Sequence, residues 1–423
     1  MTKLEQLIKD LCPNGVEYVP LWSVTIWDKK FNSVDRKKQP KSINYPYLLA
    51  KDLFALEIEN GDVFLLSTGE QTGWTNDELA GDKLCEGEVI TIPWGKSRAV
   101  VDCIKYYKGK FVTADNRIMT SNDTSKLSNK YLYYWIMTKG KVIDTFYRGS
   151  GIKHPDMSKI LDLKIPLPPL EIQCEIVRIL DNFTELTAEL TAELTARKKQ
   201  YEYYRDTLLS FDSVHGGGTT DVVWRTLSEI ADISTGSSNT NEGLEEGLYP
   251  FYVRSQEPLR KNEYEFDETA IITAGDGVGV GKVYHYVEGK YALHQRAYRI
   301  HINDETVLPR YYFHYMKSAF LPYIQKTMFQ GSVASIRRPM LNQFPVPIPP
   351  LPIQERIVKV LDNFDTICND LNIGLPKEIE LRKKQYEYYR DALLSFDSSY
   401  FVNVERERER EREREQHMEQ RID

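Results

Sequence analysis

The sequence predicts an α+β protein built in duplicate. Two α+β globules are separated by two long helices that form an antiparallel coiled coil, related by a pseudo-two-fold axis. Three observations predict this. The stretch Arg197–Asp212 returns at Arg382–Asp397 with one difference in sixteen positions. Just upstream of each, Pro166–Phe183 returns at Pro347–Phe364 with twelve of eighteen positions identical. Two such matches in the same order are an internal repeat. The segments before the repeats diverge strongly and read mainly as short strands broken by turns.

The resulting order is a first globule over residues 1–165 with an N-terminal helix, then a helical spacer over 166–212. A second globule follows over 213–346, a second spacer over 347–397, and a low-complexity tail over 398–423. In the first globule Asp62–Leu66, Glu88–Ile92 and Lys110–Thr113 read as strands, and Asn129–Lys139 as a helix. In the second, Lys282–Tyr286 reads as a strand and Pro309–Ser318 as a helix. Gly216, Gly217 and Gly218 make Ser213–Thr220 a flexible joint.

Each spacer opens on an extended proline stretch, Pro166–Pro169 or Pro347–Pro350. Apolar residues follow at Ile172, Ile176, Ile179, Phe183, Leu186 and Leu190, in steps of four and three. Ile353, Ile357, Val360, Phe364, Ile367 and Leu371 repeat those steps, which is a heptad seam. The seam resumes at Tyr201, Tyr204, Leu208 and Phe211, and again at Tyr386, Tyr389, Leu393 and Phe396. Between its halves the first spacer carries TELTAELTAELTA, a tetrapeptide repeat that acts as a stutter. The second carries Gly374-Leu375-Pro376, which breaks or restarts the helix. The tail alternates Glu and Arg from Glu405 to Glu415 and reads as solvated and disordered.

Composition narrows the function. Hydrophobic residues make up 41%, charged residues 28% and aromatic residues 12%, so the chain can build cores. No run of apolar residues is long enough for a membrane span, and MTKLEQLIKDL has no apolar core of signal-peptide type. Cys12, Cys85, Cys103, Cys174 and Cys368 form no CxxC pair, which points to a reducing, cytoplasmic setting and to no zinc site. The net charge is −7, yet Leu21–Pro166 holds 22 basic against 18 acidic residues. Asp221–Pro347 holds 13 against 15. Any DNA-binding face is therefore local.

A duplicated binding domain on a spacer suits a ligand with two separated sites. Double-stranded DNA fits, because two half-sites on one duplex are held at fixed distance and phase. Candidate DNA-binding residues are Lys96, Arg98, Lys153 and His154 in the first globule. In the second they are Arg254, Gln256, Lys282, His294, Gln295, Arg296, Arg337 and Arg338. Candidate partner-docking residues lie on the outer helix faces: Lys198, Lys199, Tyr203 and Arg205, then Lys383, Lys384, Tyr388 and Arg390.

Enzymatic readings fare worse. Gly275–Lys282 has closely spaced glycines but is followed by a strand-like run, whereas dinucleotide sites need an opening helix. It reads better as a glycine-rich loop near DNA. Pro155-Asp156 and Asp162-Leu163-Lys164 imitate a metal-dependent nuclease signature, but the second half lacks both acids. No NPPY or DPPY methyltransferase motif exists. Trp22, Trp74 and Trp94 read as core. A coiled-coil adaptor with two protein-binding globules is the alternative, and a self-sufficient nuclease or methyltransferase ranks third.

PLPPLEIQ and PIPPLPIQ followed by IVxxLDNF, the twin RKKQYEYYRD segments and GSGIKH at Gly149–His154 resemble specificity subunits of type I restriction–modification systems. TELTAELTAELTA resembles the central repeat of the branch called type IC. The resemblance covers about Leu21–Asp397. It implies that the globules are target recognition domains, each reading half of a split DNA sequence. It further implies no catalytic, metal or cofactor site in this chain. Methyltransferase subunits would carry S-adenosylmethionine, and separate restriction and translocase subunits would use ATP and Mg²⁺. The tail has no counterpart in that family.

Overall fold

A computed structural model describes residues 2–95, 98–211, 222–327 and 335–396. The expected joint at Ser213–Thr220 and the Glu-Arg tail lie outside the described residues. The chain divides into one unit of Met1–Ala188 with Glu380–Asp423 and a second of Glu189–Ile379.

The first unit is built on a sheet of β1 (Thr25–Trp27), β2 (Val63–Leu66), β3 (Gly73–Thr75), β4 (Cys85–Ile92), β5 (Lys105–Ala114) and β6 (Arg117–Ser121). Their spatial order is β1-β6-β4-β5-β2-β3, with Tyr47–Leu48 added beside β5. Adjacent strands are antiparallel except that β2 and Tyr47–Leu48 each run parallel to β5, with Leu65 opposite Val112. The C-terminal halves of β4 and β5 are buried on both faces, so neighbours such as Val89 and Ile90, or Phe111 and Val112, enter different clusters of the core. Helix α1 (Asn129–Thr138) packs on the sheet through Tyr131, Leu132 and Trp135.

Helix α2 (Leu170–Leu209) is one unbroken helix of 40 residues, so the tetrapeptide repeat leaves it continuous. That is about 60 Å at 1.5 Å per residue.

The second unit contains β7 (Ala231–Thr235), β8 (Tyr249–Tyr252), β9 (Leu259–Lys261), β10 (Phe266–Ala274), β11 (Tyr284–Leu293) and β12 (Ala297–Ile302). Their order is β7-β12-β10-β11-β8-β9, the arrangement of the first sheet strand for strand. Its parallel pair, β8 and β11, stands where β2 and β5 stand in the first. Two segments that look unrelated in sequence therefore share a topology. Helix α3 (Pro309–Thr327) packs through Tyr311, Tyr312 and Phe320 and runs nine residues past the expected end. Helix α4 (Leu351–Asn369) follows. After Gly374 the chain restarts as α5 (Leu375–Ser395), as Gly-Leu-Pro requires.

Each globule is closed by a clasp of its own first and last strands. Tyr18–Pro20 pairs antiparallel with Lys164–Pro166, and Val223–Thr226 with Pro345–Ile348. The prolines, which cannot donate, sit in two-stranded ribbons where no second partner is needed.

The helix seam needs one correction. In the first unit the fully buried apolar residues of α2 are Ile172, Ile176 and Leu180, while Ile179 and Phe183 are half-buried. In the second unit Ile357 and Leu361, one turn apart, are buried on α4, as is Cys368 further along. Steps of four replace four-three because this face enters the globule core as well as meeting another helix. The predicted seam does cover the helix pairing. Phe183 stacks on Tyr389 at 5.3 Å between centroids in the first unit. Tyr204 stacks on Phe364 at 5.6 Å in the second. The middle of the seam is open: Leu186 is 37% and Leu371 71% exposed.

Candidate nucleic-acid interface

The sheets place equivalent loops together: the one after β4 or β10, and the hairpin joining β5 to β6 or β11 to β12. In the first unit Trp94 follows β4 and lies between the Arg117 guanidinium and the His154 ring. The Arg117 guanidinium stands 3.6 Å over its ring, and the His154 ring is 4.6 Å away. His154 also bonds through Nδ1 to the Trp94 carbonyl at 2.9 Å. Tyr147 donates its hydroxyl to the Pro93 carbonyl at 2.5 Å. Arg117 donates to Asp115 at 3.0 Å, and Asp115 also pairs with Lys29.

The neighbouring loop is tied to the same strands. Asn116 donates to the carbonyls of Leu66 at 2.8 Å and Ser67 at 3.2 Å. Lys105 donates to Ser67 at 2.9 Å. Two glycines allow the close approach. A Cβ on Gly95 would meet Ile152 at 2.6 Å, and Gly149 has φ of +138°. Deeper in, the buried Asp28 carboxylate accepts the Ile118 N–H at 3.1 Å, and burial pushes it up to about 6.

The second unit arranges its cations around one carboxylate. Arg254 donates to Asp276 Oδ1 at 2.6 Å, and Arg296 to Oδ2 at 3.1 Å. Burial alone would raise the Asp276 carboxyl, but the two guanidiniums outweigh it and hold it below the usual range. His294 is buried and accepts the Arg296 N–H through Nδ1 at 2.9 Å. Burial holds its imidazole below the ordinary value, with Arg254 adding to the effect. Gly275–Lys282 forms the loop from β10 to β11, with a 3-10 turn at Gly277–Gly279 and no opening α-helix.

The structure thus gathers Arg254 and Arg296 at one site, with His294 behind them. His294 faces inward, unlike the outward-facing group expected. Gln295 is exposed and bonds to Asn239. Gln256, Lys282, Arg337 and Arg338 are exposed. In the first unit Lys153 and His154 are exposed beside Trp94, Arg98 pairs with Glu70, and Lys96 lies outside the described residues. Sequence reasoning missed Trp94, Arg117 and Asp276. A signal for Trp94 existed, since Trp-Gly-Lys-Ser-Arg places an aromatic among basic residues in a turn. Of the tryptophans expected in the core, Trp22 and Trp94 are half-buried, and Trp74 is exposed, packing edge-on against Phe64 and Tyr107.

On the helices, Lys198, Lys199, Lys383 and Lys384 are exposed, and Tyr203 is 67% exposed. Tyr388 is half-buried. Arg205 and Arg390 pair with their neighbours Asp206 and Asp391, each at 2.8 Å. The nuclease-like acids serve structure: Asp162 pairs with Lys38 at 2.6 Å, and Asp156 with Lys159 at 4.0 Å. Among the described residues no cluster of three His, Cys, Asp or Glu is arranged for a metal ion. No described helix is long and apolar enough to cross a membrane.

The junction of globule and helix repeats the same pattern of hydrogen bonds in both units. Gln173 is buried; its Oε1 accepts the Ser128 N–H at 2.9 Å, and its Nε2 donates to Lys126 and Pro168 carbonyls at 2.7 and 2.8 Å. Gln354 does the same with Leu308, Thr306 and Pro349 at 2.9, 2.8 and 2.8 Å. Tyr131 donates to the Pro166 carbonyl at 3.0 Å, and Tyr311 to that of Pro347 at 2.8 Å. Lys130 and Tyr134 converge on Asp181, as Arg310 and His314 converge on Asp362.

Comparison with known proteins follows the same division. The family model described as type I restriction modification DNA specificity domain matches twice, at residues 37–197 and 220–381. The chain is 34% identical to a type I restriction enzyme specificity subunit of Escherichia coli, over 94% of this chain and 98% of that protein. It is 33% identical to a putative specificity subunit of Haemophilus influenzae, over 74% of this chain and 83% of that one. A type I restriction–modification S subunit from M. genitalium has a similar fold, with TM-score 0.58 and 18% identity, covering 90% of this chain and 96% of that one.

Proposed function

Because the chain belongs to the type I restriction–modification DNA specificity family, we propose that it recognises a two-part DNA sequence and directs partner enzymes to it. Each globule reads one half-site. Methyltransferase and restriction subunits supply the chemistry, and this chain is their recognition subunit, not an enzyme. The observation that carries this reading is the duplicated unit itself: two sheets of one strand order, each presenting different side chains on equivalent loops. Phosphate contacts would come from exposed cations such as Lys153, Lys282, Arg337 and Arg338, and base reading from the loops around Trp94 and Asp276.

The helices act as spacer and dock. Lys198, Lys199 and Tyr203, with Lys383, Lys384 and Tyr388, form the outer faces offered to methyltransferase subunits. The tetrapeptide repeat supports a type IC reading, in which its length would set the gap between half-sites. S-adenosylmethionine belongs to the methyltransferase partners, and ATP and Mg²⁺ to the restriction partners. The complex works in the cytoplasm, where its DNA lies. An adaptor with two protein-binding globules is not favoured, since both family matches fall on the globules together with their helices.

Methylation sequencing of a cell carrying this chain and its partners tests the reading. A single asymmetric motif with two specified blocks and an unspecified gap is expected. A contiguous motif, or none, would overturn it.

A further inference from the structure

The Arg254–Asp276–Arg296 group carries an inference that rests on the DNA-recognition reading and goes further. One carboxylate, at the end of β10, holds two arginines from two other loops. Each arginine gives Asp276 a single nitrogen, Nη1. Among the described residues neither guanidinium has another hydrogen-bond partner, so the edge formed by Nε and Nη2 is open on both. Arg254 is 39% and Arg296 62% exposed, while Asp276 is only 21% exposed. The donors therefore face solvent and the anchor lies beneath them.

The anchor is itself braced. The Gly275 N–H donates to the Arg296 carbonyl at 2.9 Å, and the Ile336 N–H to the Gly275 carbonyl at 2.8 Å. The bond from Arg296 N–H to the buried His294 ring fixes the next turn of backbone. Arginine side chains lose much rotamer freedom on binding, and a carboxylate that orients them beforehand removes part of that cost.

A fixed guanidinium edge with two parallel donors matches two acceptors side by side. In the major groove that pair is O6 and N7 of guanine. We propose that Arg254 and Arg296 read guanine in the half-site of the second globule, and that Asp276 is the positioning residue that aims them.

The test uses the full chain assembled with its methyltransferase subunits. Methylation sequencing first gives the wild-type motif. If that motif is not bipartite, the functional reading itself has failed. With a bipartite motif, the half-site altered by R254A and R296A must contain guanine. Asp276→Asn keeps the size and removes the charge. It should lower discrimination at one or two guanine positions on the order of tenfold. The other half-site and the melting temperature should stay unchanged, and Asp276→Glu should recover part of the loss. Replacing the guanine by 7-deazaguanine, which lacks N7, should weaken wild-type binding and leave R254A R296A indifferent. An unchanged motif in D276N would overturn the proposal. So would uniform weakening on all duplexes, which would assign the arginines to phosphates.

Discussion

Gln173 and Gln354 occupy the same place in two copies of one junction, each accepting one backbone N–H and donating to two carbonyls. The three peptide groups bonded by each glutamine lie where loop, proline stretch and helix meet. None belongs to a regular ladder, so the side chain supplies what secondary structure cannot. This is the physical meaning of the glutamine in LPPLEIQ and IPPLPIQ.

Gln173→Leu should therefore leave two carbonyls and one N–H without partners in a buried site. Each orphaned group costs about 1–3 kcal/mol, so a loss of at least about 2 kcal/mol is expected in urea unfolding. Gln354→Leu should cost the second unit a similar amount. An effect within 0.5 kcal/mol, as surface substitutions usually give, would contradict the bonding described.

Asp28 gives a pH dependence of known sign. Its folded carboxyl titrates at about 6 and its unfolded value is near 3.8. Between these values the folded state holds the extra proton, so this group's contribution falls as pH rises through that window. Asp28→Asn keeps an acceptor for the Ile118 N–H and removes the buried charge. It should stabilise the protein by up to about 3 kcal/mol at pH 7. Its advantage should fade as pH falls toward 4, read as the difference between wild-type and variant unfolding midpoints.

Trp94→Ala removes the ring between Arg117 and His154. Loss of the cation–π contact removes one of the contacts that orient Arg117, leaving its bond to Asp115. The first half-site should lose discrimination by about tenfold, measured by methylation sequencing or competition binding, while the second half-site is read as before.

Removing Thr187–Leu190, one tetrapeptide unit, should shorten α2 by about 6 Å. At about 3.4 Å per base pair the permitted gap should fall by one or two base pairs. Both half-sites should stay the same; a changed half-site would refute the ruler.

Charge reversal at Lys198 and Lys199 tests the outer face. The double Glu variant should co-purify poorly with methyltransferase subunits. Because neither lysine is buried or paired among the described residues, its melting temperature should match wild type. Intact assembly would show that this face is only solvated.

What the sequence determined by itself was the duplication and everything local to it. The proline entries, the continuous first helix, the break at Gly374-Leu375-Pro376 and the exposed Tyr203 all follow from residue type and spacing over a few turns. The helix pairing was legible because Phe183, Tyr389, Tyr204 and Phe364 recur at heptad steps. Tertiary structure decided the rest. The common strand order depends on pairings between residues tens of positions apart, such as Leu65 with Val112 and Phe251 with Ala292. No local period encodes those pairings once the side chains have diverged. Leu180, not Ile179, is fully buried because the globule covers a face that helix pairing alone would leave open. Asp276 acquired its role the same way: only the fold brings positions 254, 276 and 296 to one point, where electrostatics makes one carboxylate hold two arginines.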